Sequence, residues 1–201
     1  MTRILASLAG IAALFLVGTA QAAPPSAADA LKDRILGDPD APIEIIEYAS
    51  LTCSHCRDFH LEVLPDLKEN YIDTGKVKLI YRDFPFDQQG LMASVLARCA
   101  PPNRYFQFLD VLFRNQDKWT QDPDPFGALM RIGKLGGLSG EDFKACLEDK
   151  ELVDGMLQTR LTANQQFDVK STPTFLIGDN NRIVGNQPYE VFDDLLKKLS
   201  D

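Results

Sequence analysis

The stretch 43–59, IEIIEYASLTCSHCRDF, decides the fold. Its first seven residues, Ile43 to Ala49, form a β-branched, apolar run that reads as a buried strand, and Cys53 and Cys56 follow after no more than a turn. From Arg57 to Tyr71 the apolar positions Phe59, Val63, Leu64 and Leu67 recur at helical spacing, with Pro65 predicting a kink. A strand, a Cys-x-x-Cys and a helix in that order put Cys53 at a helix N-terminus. There, unpaired backbone N–H groups and the positive end of the helix dipole favour thiolate over thiol. Cys56, one turn in, faces the protein and reads as the buried, resolving partner. His55 between them is placed to donate to the Cys53 sulfur or to bring positive charge near it.

Outward from this stretch, Gly37 to Pro42 is a turn that delivers the chain into the strand, and Ala23 to Leu36 reads as an Ala/Pro/Ser-rich, mildly helical leader. A second strand is expected over Val77 to Tyr81. From about Gln88 to Phe167 the β pattern vanishes. Amphipathic helices are expected over Leu91–Ala100, Tyr105–Trp119, Phe126–Leu135, Ser139–Glu148 and Glu151–Phe167, separated by Pro-rich and Gly-Gly breaks. Strand signals return as a hairpin, Thr174–Ile177 and Arg182–Val184 around Gly178 to Asn181, and a last helix runs from Tyr189 to Leu199. Strands on both sides of the helical block need each other to complete one sheet. The pattern therefore predicts an α/β, thioredoxin-like fold, residues 37–87 and 168–201, with an all-helical domain, residues 88–167, inserted in its middle.

Residues 1–22 read as an export signal: Arg3, an apolar run from Ile4 to Val17, and Ala20-Gln21-Ala22 as a small-x-small site cleaved after Ala22. The run falls short of the roughly 20 residues of a spanning helix, which disfavours an uncleaved anchor. What remains, about 180 residues, is enough for a real core. The formal net charge is -8 and no Lys/Arg-rich block appears, which argues against nucleic acid and an anionic membrane surface as natural partners. Proteins or small molecules are the expected partners, and the compartment is oxidising. The 4 cysteines allow three pairings, and local spacing favours Cys53–Cys56 with Cys99–Cys146 by remainder.

The Cys53/Cys56 spacing also serves inert staples and metal clamps. A two-residue spacer closes too small a loop to remove much chain entropy, which favours redox use over a staple. A metal-binding module would recruit His60 beside Cys53 and Cys56, but zinc or copper wants three or four ligands and the only other histidine is His55. His60, four residues past Cys56, otherwise reads as a surface or half-buried helical side chain. Glu47 shares strand parity with Ile43 and Ile45, so an acid stands on an apolar face, six residues before Cys53. As a functional group it would accept and return the Cys56 proton. Ser171-Thr172-Pro173-Thr174 puts a proline at a strand entry, where a cis bond would make a tight turn, although an ordinary trans turn is the default.

Taken together, the turn at Gly37 to Pro42, Glu47, Cys53-x-His55-Cys56, Arg82-Asp83-Phe84-Pro85, the helical insertion and Thr172-Pro173-Thr174-Phe175 resemble the DsbA family of exported thiol:disulfide oxidoreductases. The resemblance spans nearly the whole chain after residue 22. It implies that Cys53 is the nucleophile, Cys56 the resolving thiol, Glu47 the buried acid and Thr172-Pro173 a cis-proline loop that pairs with substrate backbone. It further implies a periplasmic, monomeric oxidase that needs no cofactor or metal, acts on reduced exported proteins and is reoxidised by a membrane partner of the DsbB type. An isomerase or reductase of the same family is the alternative; an isomerase usually carries a preceding dimerisation domain, for which Ala23 to Pro42 is too short. Ser54 and Thr172 replace the proline and valine of the best-known member of that family.

Overall fold

The computed structural model describes residues 23–200, so the signal expected over 1–22 lies outside the described residues. A five-stranded sheet organises the molecule: β1 (Arg34–Leu36), β2 (Ile43–Ala49), β3 (Val77–Asp83), β4 (Thr174–Ile177) and β5 (Asn181–Val184), in the order β1-β3-β2-β4-β5. β2 and β3 are parallel, with Glu47 opposite Tyr81, because a helix joins them; β4 runs antiparallel to β2, with Phe175 opposite Glu47. Strands from both ends of the chain thus meet at Glu47.

The expected leader over 23–36 is not separate from this sheet. Its short helix α1 (Ala27–Ala30) is capped by the Ser26 hydroxyl, and Arg34–Leu36 pairs antiparallel with β3 as an edge strand. Three residues are too few for a period of two to show in a sequence.

After β2 the chain is helical from Ser54 to Ile72, in the order α2 (Ser54–Asp58), a π-turn over Phe59–Val63, α3 (Leu64–Leu67) and a second π-turn over Lys68–Ile72. The expected kink at Pro65 takes the form of the first π-turn: proline has no N–H for the regular ladder, and the Leu64 N–H reaches back to Phe59 O.

The helical block consists of α4 (Gln88–Cys99), α5 (Tyr105–Arg114), α6 (Gln116–Thr120), α7 (Pro125–Leu135), α8 (Gly140–Glu148) and α9 (Lys150–Phe167). The single helix expected over Tyr105–Trp119 breaks at Asn115 (φ -112, ψ 16), which turns Gln116 and Trp119 inward, both buried. The closing helix is α10 (Tyr189–Ser200).

One face of the sheet, Ile43, Ile45, Leu79, Phe175 and Ile177, packs on Phe59, Val63 and Leu67 of the first long helix and on Phe192 and Leu196 of α10. Tyr48, with Ile46 and Leu176 alongside, meets Ala163 of α9 on the other face. The largest apolar cluster lies within the helical block, around Leu96, Leu109, Leu112, Phe113, Trp119 and Leu129, and it extends to Ala49, Leu51, Cys56 and Tyr81. The cysteine pair therefore stands at the seam between sheet and helical block.

Candidate active site

Cys53 is the N-cap of α2, with extended backbone (φ -83, ψ 120), and its sulfur accepts the Cys56 backbone N–H at 3.4 Å. The Cys53 thiol is held down from 9.0 to about 6, chiefly by a hydrogen bond from the Cys56 thiol, then by Thr172 and by the backbone N–H groups of Cys56 and His55. Partial burial opposes this and loses to the four donors together. Burial pushes the Cys56 thiol well above its ordinary value, helped by its partner Cys53 and by the charge of Glu47. One sulfur thus favours the anion and the other the proton, the asymmetry a directional thiol exchange needs.

The His55 backbone N–H points to the Cys53 sulfur. The ring of His55 is exposed and makes no hydrogen bond among the described residues. Opposite Cys53, the Thr172–Pro173 peptide is cis. The Cys53 thiol donates to Thr172 O at 3.4 Å, and the Thr172 side chain is buried.

Glu47 is completely buried between Tyr81 and Phe175. Its carboxylate is met by His60 Nε2, 3.1 Å from Oε1 and 3.0 Å from Oε2. This corrects the reading of His60 as a surface or half-buried side chain. The residue is 8% exposed and its ring stacks on Phe113 at 4.4 Å. The reason is helical geometry: four residues past Cys56, it shares the buried face that Cys56 defines. Because His60 Nε2 is turned to Glu47, the metal set Cys53, Cys56 and His60 does not assemble. Among the described residues no group of three or more His, Cys, Asp or Glu side chains could hold a metal ion.

Two supports escaped the sequence reading. Gln116, the first residue of α6, donates from Nε2 to Leu51 O at 2.8 Å and to Cys53 O at 3.0 Å, so the helical block fixes the cysteine-bearing turn directly. Asp87 caps α4 through Gly90 N and accepts from Thr52 Oγ1 at 2.9 Å, tying the same turn to α4. No short-range motif announces either, since the partners lie 65 and 35 positions away. Replacing Gln116 by Leu strands the buried Leu51 carbonyl and is expected to cost about 1 to 3 kcal/mol, read as a lower urea midpoint at unchanged slope.

Cys99 and Cys146 form a disulfide between α4 and α8, with Cα atoms 6.4 Å apart, in the core of the helical block. Cys53 and Cys56 are free thiols.

A helix-capping cysteine of low pKa beside a cis-proline turn, at the end of a mixed sheet with β2 and β3 parallel, places the molecule in the thioredoxin-fold class of vicinal-dithiol proteins. A family model described as Thioredoxin matches residues 29–198. The chain belongs to the DsbA family within that fold. Alpha-DsbA1 of Wolbachia pipientis has 36% sequence identity and superimposes with a TM-score of 0.78 over 84% of this chain and 91% of its own. A "Putative protein-disulfide oxidoreductase" of Rickettsia bellii is 37% identical over 151 residues, 72% of this chain and 56% of the relative. The match to the Rickettsia relatives thus spans little more than half of their length. BdbD from Bacillus subtilis, 22% identical, shares the fold with a TM-score of 0.75 over 89% of this chain and 96% of its own.

Proposed function

We propose that the protein is an exported thiol:disulfide oxidoreductase that donates its Cys53–Cys56 disulfide to reduced, folding proteins in the periplasm. The observation that carries this reading is the opposed pair of sulfurs: Cys53 lowered to about 6 at a helix N-terminus, Cys56 raised and buried behind it. A substrate thiolate attacks Cys53, a mixed disulfide forms and Cys56 departs. A second substrate thiolate then releases the product, and Cys53 leaves as a stabilised thiolate. The cis-proline turn presents the Thr172 backbone beside the sulfur, where an extended substrate chain can pair with it. In this reading Glu47 handles the Cys56 proton. Residues 37–87 and 168–201, joined by the edge strand β1, form the thioredoxin-like unit, 88–167 the inserted domain and 1–22 a signal cleaved after Ala22. The protein works as a monomer without a cofactor, and a membrane oxidase of the DsbB type restores the disulfide.

A paired assay tests the reading. The oxidised protein is expected to speed disulfide formation in a reduced, denatured substrate and to rearrange a scrambled one poorly. No acceleration would sink the proposal, and efficient rearrangement would make the protein an isomerase.

A further inference from the structure

When the Cys53–Cys56 bond breaks, its electron pair stays on Cys56 Sγ, which is fully buried. A thiolate there is costly, so a proton must reach it from within. Glu47 is near enough for its charge to act on Cys56, yet it too is fully buried. The one hydrogen-bond partner of its carboxyl group among the described residues is His60. His60 also lines a groove of about 890 Å3 between β1, α3 and α5. The ring therefore spans the distance between a sealed carboxyl group and open space.

We propose that His60 relays protons between this groove and Glu47, and through Glu47 serves the Cys56 sulfur. The proposal rests on the reading of Cys53–Cys56 as an exchanging pair and names a positioning residue for that reaction. The contact to both carboxylate oxygens suits a shared proton: Nε2–H can donate to the carboxylate, and a neutral Nε2 can accept from the carboxylic acid. The ring is held in plane by stacking on Phe113 and by edge contacts to Phe59 and Tyr81, at 5.6 and 5.7 Å. The groups that face it from the strands and helix packed around it are Glu47 on β2, Tyr81 on β3 and Phe113 on α5. Of these, Glu47 alone bonds to it. Asp33, Arg34, Lys68, Asp110 and Arg114 line the groove, a mixture of signs around the ring's open side.

Each step balances. The substrate sulfur bonds to Cys53 Sγ, the Cys53–Cys56 bond breaks, and Cys56 Sγ takes the Glu47 proton. Glu47 regains one through His60 from water in the groove. The reverse sequence deprotonates Cys56 when it attacks a mixed disulfide.

The reduced full-length protein is mixed with oxidised glutathione between about pH 5 and pH 8, and acid-quenched samples are weighed by mass spectrometry. This separates mixed-disulfide formation at Cys53 from its resolution by Cys56. His60→Gln keeps a donor to Glu47 but has no ring to pass a proton from one nitrogen to the other. It is expected to leave the first step unchanged and to slow resolution about tenfold, less than the roughly 100-fold of a group that touches the reacting atom, because Glu47 remains. His60→Ala should show the same defect, and free imidazole, entering by the groove, should restore its rate. Resolution at the wild-type rate in His60→Gln would overturn the relay. So would a slow His60→Ala that imidazole does not restore, the mark of a structural role. A wild-type protein that forms no mixed disulfide would instead overturn the exchange reading beneath it.

Discussion

Cys53→Ser is expected to abolish disulfide donation and to remove from the reduced protein an ultraviolet thiolate absorbance that otherwise rises with a midpoint near pH 6. The loss is complete because serine neither forms the mixed disulfide nor leaves as a thiolate. Cys56 cannot substitute, since it is fully buried and its thiol is pushed well above the usual value. The same depressed value sets the pH dependence of stability. A group whose folded pKa is lowered stabilises the fold above its unfolded pKa, and that stabilisation is lost as pH falls through the folded value. The reduced protein should therefore gain on the oxidised one between about pH 6 and pH 9, and the gain should vanish below about pH 6, because the disulfide form has no Cys53 proton to lose. For a half-exposed sulfur screened by solvent, about 1 to 2 kcal/mol near pH 8 is the expected size. Urea unfolding of both forms at pH 5 and pH 8 measures it. Equal stabilities at both values, or a thiolate midpoint that stays near 8.5 as in a free cysteine, would contradict the electrostatics of the site.

Much of this site was legible because its signals are local. The step from β2 to Cys53 to α2 is one strand, one turn and one helix start within 43–59, and the parity of Glu47 with Ile43 and Ile45 already put an acid on a buried face. What the sequence hid depends on partners far along the chain. His60 read as peripheral because its burial needs Glu47 on another element and Phe113 on α5 to close around it. Its distance of four residues from Cys56 was the usable clue. The same holds for Gln116, whose two acceptors lie in the cysteine turn and which enters the core only because the helix breaks at Asn115. β1 escaped for a different reason: three residues at an edge take their conformation from β3, not from their own pattern.

Replacing both Cys99 and Cys146 by Ala is expected to lower the melting temperature by roughly 8 to 16 °C, because the bridge closes a loop of 47 positions, about 4 kcal/mol in the chain-entropy model at roughly 2 to 4 °C per kcal/mol. The Cys53 thiolate midpoint and the oxidase rate should stay near those of the wild type. The reason lies in α4: its first turn is tied to the active-site loop through Asp87 and Thr52, while Cys99 ends the same helix. At about 1.5 Å per residue the disulfide is thus about 18 Å along the helix from that tie, and Gln116 holds the turn independently from α6. The bridge should also survive a glutathione buffer that reduces Cys53–Cys56, since Cys99 and Cys146 are buried at 1% and 6% exposure and neither caps a helix N-terminus. Calorimetry and thiol counting in that buffer check both statements. A double variant that keeps its melting temperature would remove the structural role. One that stays folded but shifts the Cys53 midpoint would show that α4 transmits strain from the bridge to the active-site turn.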